Sequence, residues 1–481
     1  MSLFRTVQLC AVAMLFVAGC QAPRPRSALP PSQGAGAQAT QPRGRATPTV
    51  VAAGAPARNR AGQVRLVTQL EPATELSLSQ LVADVQARNP SLQAMIAAWR
   101  AAAQQYPQAV SLEDPMFSSM AAPASFNNDE LESAYALQGG QKLPWFGKRA
   151  ARGRQARAKT ATAFQEAQDN RLRLVAITQT AYFDYYLARR QLQLNEQNVV
   201  LLREFRDSAD AKYRANQVTQ QDLLQADLEL AELERRQIEL DRTNRLAIAR
   251  INTLLRMPPY APLPPPPAKL EVPNGKFDLD LLQQEAAVRR PDLMATASQV
   301  RSEQAAVDLA MKEYYPDVEL FGRYDTFWQP ESMQGDLRGQ VGVNLNMPIY
   351  RGRLNAAVRE AMFRLSQRRS EYEQRLLDVQ YEVVTAYEQL EESRRALRLF
   401  AERLIHAAEQ NVAAARANYE SNAASFLELA TAQRQLVTLR EEQEAALAMC
   451  HTRLAELERA TGGPVPSTVP AEVIRRPIAN S

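Results

Sequence analysis

The chain has 481 residues, enough for several domains or one large elongated unit. Its 57 basic and 53 acidic side chains leave a net charge of only +4, so mixed charge reads as solvated helix faces rather than a nucleic-acid footprint. Three cysteines (Cys10, Cys20, Cys450) and two histidines (His406, His451) exclude a dense disulfide scaffold and offer no ligand cluster, so no fixed metal site and no cofactor is expected.

In chain order, Arg5 precedes the apolar run 12–17, which ends at Ala18-Gly19-Cys20. This is the charge, length and small-residue end of a signal peptide. The tetrad Val17-Ala18-Gly19-Cys20 resembles a bacterial lipobox, which implies cleavage before Cys20 and acylation of its thiol. An ordinary signal peptide with an incidental cysteine is the alternative. Gln21 follows, compatible with outer-membrane delivery, and the acyl chains would hold the N-terminus at the inner leaflet. Residues 21–70 are rich in Ala, Pro, Gln, Gly and Arg and read as a flexible tether. No later stretch reaches the roughly 18 apolar residues of a spanning helix, so any bilayer crossing must use strands.

From Leu76 onward one unit of about 205 residues occurs twice. NPSLQAMIAAWRAAAQQYP at 89–107 answers to RPDLMATASQVRSEQAAVDLAMKEYYP at 290–316, and LPWFGKR at 143–149 to MPIYRGR at 347–353. Ala181-Tyr182 answers to Ala386-Tyr387; Tyr213 and Asn216 answer to Tyr419 and Asn422. Leu223, Ala226, Leu230, Leu233 and Gln237 recur 206 positions later as Leu429, Ala432, Leu436, Leu439 and Gln443. Their alternating spacing of three and four is a knobs-into-holes seam. Cys450, on this seam, reads as a packing residue rather than a reactive thiol.

Each unit reads as helix, two strands, very long helix, tight turn, long helix. The very long helices are predicted over 147–215 and 352–421, on the order of 100 Å each, and the proline-rich 258–267 interrupts the helices between units. Four strands are expected near 115–122, 131–138, 317–325 and 340–347. In the last, Val341, Val343, Leu345 and Met347 alternate with Gln340, Gly342, Asn344 and Asn346. In 317–325, Phe321 breaks the alternation. The pattern fits a wall between lipid and water; taken alone it fits a soluble sheet with one wet face equally. Four strands cannot close a barrel, and an open edge cannot lie in hydrocarbon, so a spanning sheet must pool strands with copies of itself. Lys148, Arg149, Arg351 and Arg353, after each second strand, read as solvated rim charges rather than an anion site.

The boundaries are therefore a signal peptide over 1–19, lipidated Cys20 and tether over 20–75, a first repeat over 76–257, a Pro-rich linker over 258–278, a second repeat over 279–463 and a tail over 464–481. No glycine-rich phosphate loop and no credible catalytic triad is present, so an enzyme is not expected.

Taken together, these features resemble the TolC-like outer membrane efflux family over about residues 75–463. The pieces that carry the likeness are RRPDL at 289–293, YYPDVELFG at 314–322, VGVNLNMPIYRGR at 341–353 and YESNAASFLELATAQ at 419–433. QKLPWFGKRAARG at 141–153 is similar to the heavy-metal, CusC- and CzcC-like branch. The resemblance implies a mostly α fold with a small β part. It also implies a homotrimer whose α-barrel continues into a twelve-stranded transmembrane β-barrel, four strands per protomer. It places the chain in the outer membrane of a Gram-negative-type bacterium, extending into the periplasm and lipid-anchored. There it would act as the passive exit duct of a tripartite efflux pump for small molecules or metal ions. The partners implied are a periplasmic adaptor, an inner-membrane RND-type pump and outer-membrane lipid, with no nucleic acid.

By the same resemblance, Asp222 and Glu428 fall at the carboxylate positions after the two tip turns, and Tyr419 at the tip tyrosine of the closed gate. Asn216 and Asn422 stand at the turn tips that meet adaptor or pump, where the family has glycine. Ala424 and Thr431 replace a gating arginine and a second aspartate, so the closing network departs from the family's. Asp222 and Glu428 also read as helix-start carboxylates favoured by the dipole, a role compatible with the gate. Two alternatives stay open: the duct of a type I secretion system, and a lipid-anchored coiled-coil adaptor with no pore.

Overall fold

The computed structural model describes residues 75–123, 135–273, 275–325, 339–421 and 423–465. Cys20, Asn422, the signal peptide, the tether before Glu75, strand positions 131–134 and the tail after Val465 lie outside the described residues.

The first repeat opens with α1 (Leu78–Arg88), α2 (Pro90–Ala103) and α3 (Gln105–Val110). Asn89 ends α1 and starts α2: its side-chain oxygen accepts from the Ser91 amide at 3.0 Å, and Pro90 occupies the first helical turn. The strands β1 (Met116–Ala121) and β2 (Tyr135–Leu143) follow, then α4 (Lys148–Arg214) and α5 (Gln220–Leu254). The second repeat gives α6 (Leu279–Arg289), α7 (Pro291–Lys312), β3 (Val318–Asp325) and β4 (Gly339–Leu345). Its long helix is α8 (Arg351–Leu399), a π-helical turn (Phe400–Leu404) and α9 (Ile405–Glu420), before α10 (Phe426–Thr461).

Helix α4 is continuous for 67 residues, about 100 Å at 1.5 Å per residue. Its counterpart is interrupted by the π turn for a reason visible in the repeat. Ala181 and Ala386 are 205 positions apart, whereas Tyr213 and Tyr419 are 206 apart. One residue is therefore inserted between these landmarks, and a turn of i→i+5 bonds absorbs it without breaking the helix.

Helix α4 packs against α5, α7 and α10, and α8 against α7 and α10. Three separate apolar clusters hold the bundle. Tyr182, Phe183, Tyr185 and Ile251 centre the first, with α1. Leu282, Val383, Leu390, Cys450 and Leu457 centre the second. Leu202, Phe205, Tyr419, Phe426 and Leu429 centre the third. Cys450 is fully buried, and burial pushes its thiol up, as suits a packing residue. The proline-rich strap lies along the first repeat: the Leu76 amide donates to the Pro265 carbonyl at 2.8 Å, and Asn252 donates to Ala261 at 2.8 Å.

The motif RRPDL is a structural joint. Arg290, 5% exposed, pairs with Asp292 and Glu382, and Arg375 from α8 completes the network through the same two carboxylates. Burial alone would raise the Asp292 carboxyl; the two arginines overcome it and bring it down to about 2. Gly462 (φ 89°) closes α10 against this joint, leaving no Cβ to strike the Arg289 backbone.

One expectation is overturned. Lys148 is not a solvated rim charge: it is 1% exposed, with Nζ 2.9 Å from Asp317 Oδ1, 3.2 Å from Glu313 Oε2 and 3.0 Å from the Tyr315 carbonyl oxygen. Gly147, in the left-handed region (φ 84°), starts α4 abruptly and turns Lys148 beneath the end of α7. Burial raises the Asp317 carboxyl, but the Trp145 amide and Lys148 outweigh it and hold it below its usual value. The pair pins the start of the long helix to the start of β3.

Candidate functional site

Two regions carry functional geometry: the sheet, and the turns joining the long helices.

The four strands form one antiparallel sheet in the order β1-β2-β3-β4. Register sorts the side chains into two faces. Val341, Val343 and Leu345 stand opposite Gly322, Leu320 and Val318, and Leu137 and Leu143 stand opposite Tyr324 and Val318. Tyr135 stacks on Tyr324 on that same face, with ring centroids 5.9 Å apart. On the other face run the rows Gln138–Arg323–Gln340 and Lys142–Glu319–Asn344. There Asn344 donates to Glu319 at 3.2 Å.

The apolar face is exposed, with Val341 91% and Tyr324 37% exposed, and on the opposite face Lys142, Gln340 and Asn344 are exposed too. Gln138, Phe321 and Arg323 on the polar face are half-buried, although no helix layer covers either face among the described residues. Both faces therefore carry exposed side chains, with the Val341, Val343 and Leu345 set on one and the amide and charged rows on the other. Phe321, the residue that breaks the alternation, lies on the face of the polar rows between Gly140 and Gly342. A Cβ at Gly342 would meet the Phe321 ring at 2.3 Å, so the ring lies down in the space that glycine leaves. Strands β1 and β4 each have one unpaired edge within this sheet.

At the far ends of the long helices, the first turn passes through Asn216, which takes φ 54°, a conformation asparagine tolerates better than most residues. The Gln217 amide closes the turn on the Lys212 carbonyl at 2.9 Å. In the second turn the Ala423 amide closes on the Asn418 carbonyl at 2.8 Å.

Asp222 and Glu428 occupy the same position, the third residue of α5 and of α10. Asp222 Oδ2 accepts from the Thr219 amide at 3.1 Å and the Thr219 hydroxyl at 3.0 Å; Glu428 Oε1 accepts from the Ser425 hydroxyl at 3.3 Å. Both carboxylates are helix-start groups, with charge held at the positive end of a helix dipole.

The repeat symmetry breaks at the tyrosines. Tyr213 is 39% exposed, whereas Tyr419 is 4% exposed and packs edge-on against Phe426, with centroids 6.0 Å apart. Burial pushes the Tyr419 phenol up, and the Asp222 charge adds to it, which brings these two site residues into one electrostatic neighbourhood. The Tyr419 hydroxyl makes no hydrogen bond among the described residues.

What fastens Tyr419 is Lys212, a residue that sequence reasoning passed over. Its ammonium lies 4.2 Å from the Tyr419 ring centroid and donates to the Tyr419 carbonyl at 2.7 Å. This staples the C-terminal end of α9 to α4. No sequence signal marks the contact, because the two residues are 207 positions apart. Thr431 turns its hydroxyl back to the Leu427 carbonyl at 2.7 Å and Ala424 has no polar side chain, so neither supplies a gate contact.

Residues 282–463 match the Outer membrane efflux protein family. No curated protein matches the sequence. Among solved structures, CusC is 18% identical with a TM-score of 0.69, covering 85% of this chain and 99% of its own. VceC from Vibrio cholerae is 18% identical with a TM-score of 0.68, covering 80% and 96%. The open state of the MtrE outer membrane channel of Neisseria gonorrhoeae is 17% identical with a TM-score of 0.66, covering 83% and 98%. Equal identity to CusC and VceC does not single out a heavy-metal branch. The second repeat is thus similar to the outer membrane efflux protein family, and the chain as a whole shares the fold of these solved outer-membrane channels.

Proposed function

We propose that the protein is the outer-membrane exit duct of a tripartite efflux pump. The observation that carries this reading is the four-stranded sheet with an exposed apolar face, an opposite face of amide and charged rows, and two unpaired edges. Such a sheet is stable in a bilayer only when its edges are closed by sister chains. Three protomers supply twelve strands around a water-filled lumen, and their long helices continue the duct through the periplasm. The channel is passive: an inner-membrane RND-type pump and a periplasmic adaptor deliver substrate, and the turns at Asn216 and Asn422 form the end they approach.

In the assembled trimer Asp222 and Glu428 ring the narrow end and favour cations, while Tyr419 and Lys212 hold the second hairpin closed. Residues 1–19 direct export, and Cys20 carries the acyl chains that secure the tether to the inner leaflet.

Planar-bilayer recording tests the reading. The mature protein should give discrete conductance steps once its tips are opened, and a heat-modifiable band should mark the trimer on gels. Absence of conductance in every tip-opened variant would favour the lipid-anchored adaptor. Co-purification with an ABC transporter instead of an RND pump would favour protein secretion.

A further inference from the structure

Phe146 is 86% exposed at the junction of β2 and α4. Beside it lies an apolar groove of about 670 Å³, walled by Leu112, Leu143, Trp145, Val318 and Leu320. That volume is within the roughly 300–1,000 Å³ of small-molecule sites.

Two observations identify the occupant. The first is continuity. Leu143, Val318 and Leu320 share the sheet face of Val343 and Leu345, the face assigned above to hydrocarbon. The groove extends that face toward the helices. It is lined by the inner strands β2 and β3, by the start of α4 and by Val110 and Leu112 ahead of β1.

The second is charge. Arg149 lines the groove. Lys312 lies along Gly147, another lining residue, where a Cβ would come within 2.8 Å of its Nζ. Glycine at 147 is required for its left-handed backbone, and it lies beside the ammonium. The Lys312 ammonium makes no ion pair or hydrogen bond among the described residues. An apolar slot with an uncommitted cation at the end nearest the helices matches a phosphate ester attached to an acyl chain.

We propose that this groove binds one acyl chain of a phospholipid from the inner leaflet of the outer membrane, with its phosphate at Lys312, beside an Arg149 whose guanidinium is held by the Val110 carbonyl. The site rests on the bilayer reading of the sheet. It fixes the depth of the sheet in the membrane at the point where α4 begins.

The test uses Trp145 as reporter in the detergent-solubilised full-length protein, with Trp99→Phe and Trp328→Phe removing the other two tryptophans. Phosphatidylglycerol with brominated acyl chains is titrated into the micelles. Quenching should saturate at a low mole fraction, and Lys312→Gln should shift the half-quenching point about ten-fold upward, the scale of one lost charge-assisted contact. Lys312→Gln breaks no intrachain bond, so its gel mobility and melting should match the parent. Quenching that rises in proportion to lipid and is unchanged in Lys312→Gln would overturn the site, because lipid would then act only as solvent. A Trp145 never quenched would overturn it in favour of a sister chain filling the groove. Conductance of the same preparation separates the two claims. A conducting channel without saturable quenching refutes the groove alone, whereas a preparation that neither inserts nor conducts refutes the bilayer reading.

Discussion

The ring of Phe321 fills the space that a side chain at Gly342 would need, directly across the β3–β4 ladder. This pair turns an apparent fault in the strand pattern into a constraint on one face of the sheet. Gly342→Val should force the ring off that face, with an overpacking cost of about 1–3 kcal/mol and a smaller single-channel conductance. Adding Phe321→Ala should recover most of both losses. Additive effects in the double variant would show that the two side chains do not compete for one space.

Asp292 makes a pH-dependent contribution to the joint at RRPDL. Its carboxyl is depressed from 3.8 to about 2 by Arg290 and Arg375, so the folded state favours the ionised form. The stabilisation is fully present above the unfolded value near 4 and is lost as pH falls toward 2. The shift corresponds to roughly 2 kcal/mol. Asp292→Asn should melt lower than the parent at pH 7, and the difference should shrink as the scan is repeated between pH 4 and pH 2. A gap independent of pH would place the effect elsewhere.

Lys148→Met leaves Asp317 and Glu313 without their buried cation and should cost on the order of 3–5 kcal/mol. Lys148→Met with Asp317→Asn removes both charges, and melting should return most of the way toward the parent. Equal melting of the single variant and the parent would contradict the buried pair.

At the tip, ring and carbonyl do the holding and the hydroxyl does not. Tyr419→Phe should therefore leave closed-state conductance unchanged and stability within about 0.5 kcal/mol. Tyr419→Ala and Lys212→Met should each raise open probability. An open channel in Tyr419→Phe would show that the hydroxyl bonds a neighbouring protomer.

The carboxylates have two separable roles. Asp222→Asn with Glu428→Gln should lower cation selectivity of the reconstituted channel and weaken each helix start by about 1 kcal/mol or less. Loss of stability with unchanged selectivity would leave only the capping role.

Much of this was readable in the residues themselves. The repeat, the long helices and the strands are periodic over many positions, and periodic burial writes itself into sequence. Asn216 announced its left-handed turn because few residues tolerate that backbone. Strand β2 was harder: expected to end at Gln138, it runs on to Leu143 through Gly139-Gly140, a pair that reads locally as a break. Across the ladder Gly140 stands opposite Phe321, and a Cβ there would crowd the Glu319 carboxylate at 3.0 Å. Lys148 resembled any rim lysine, since Asp317 and Glu313 come close only after β2, α7 and β3 have assembled. Lys212 was hidden for the same reason. Pairings between distant segments leave no local period, whereas the π turn left a trace as a repeat offset growing from 205 to 206.

Light scattering of the purified mature protein in detergent reaches the central claim most directly, because an edge-exposed sheet must recruit sister strands before it can enter lipid. The account requires a protein mass of three chains and precipitation when detergent is withdrawn. A stable single chain in plain buffer would contradict it.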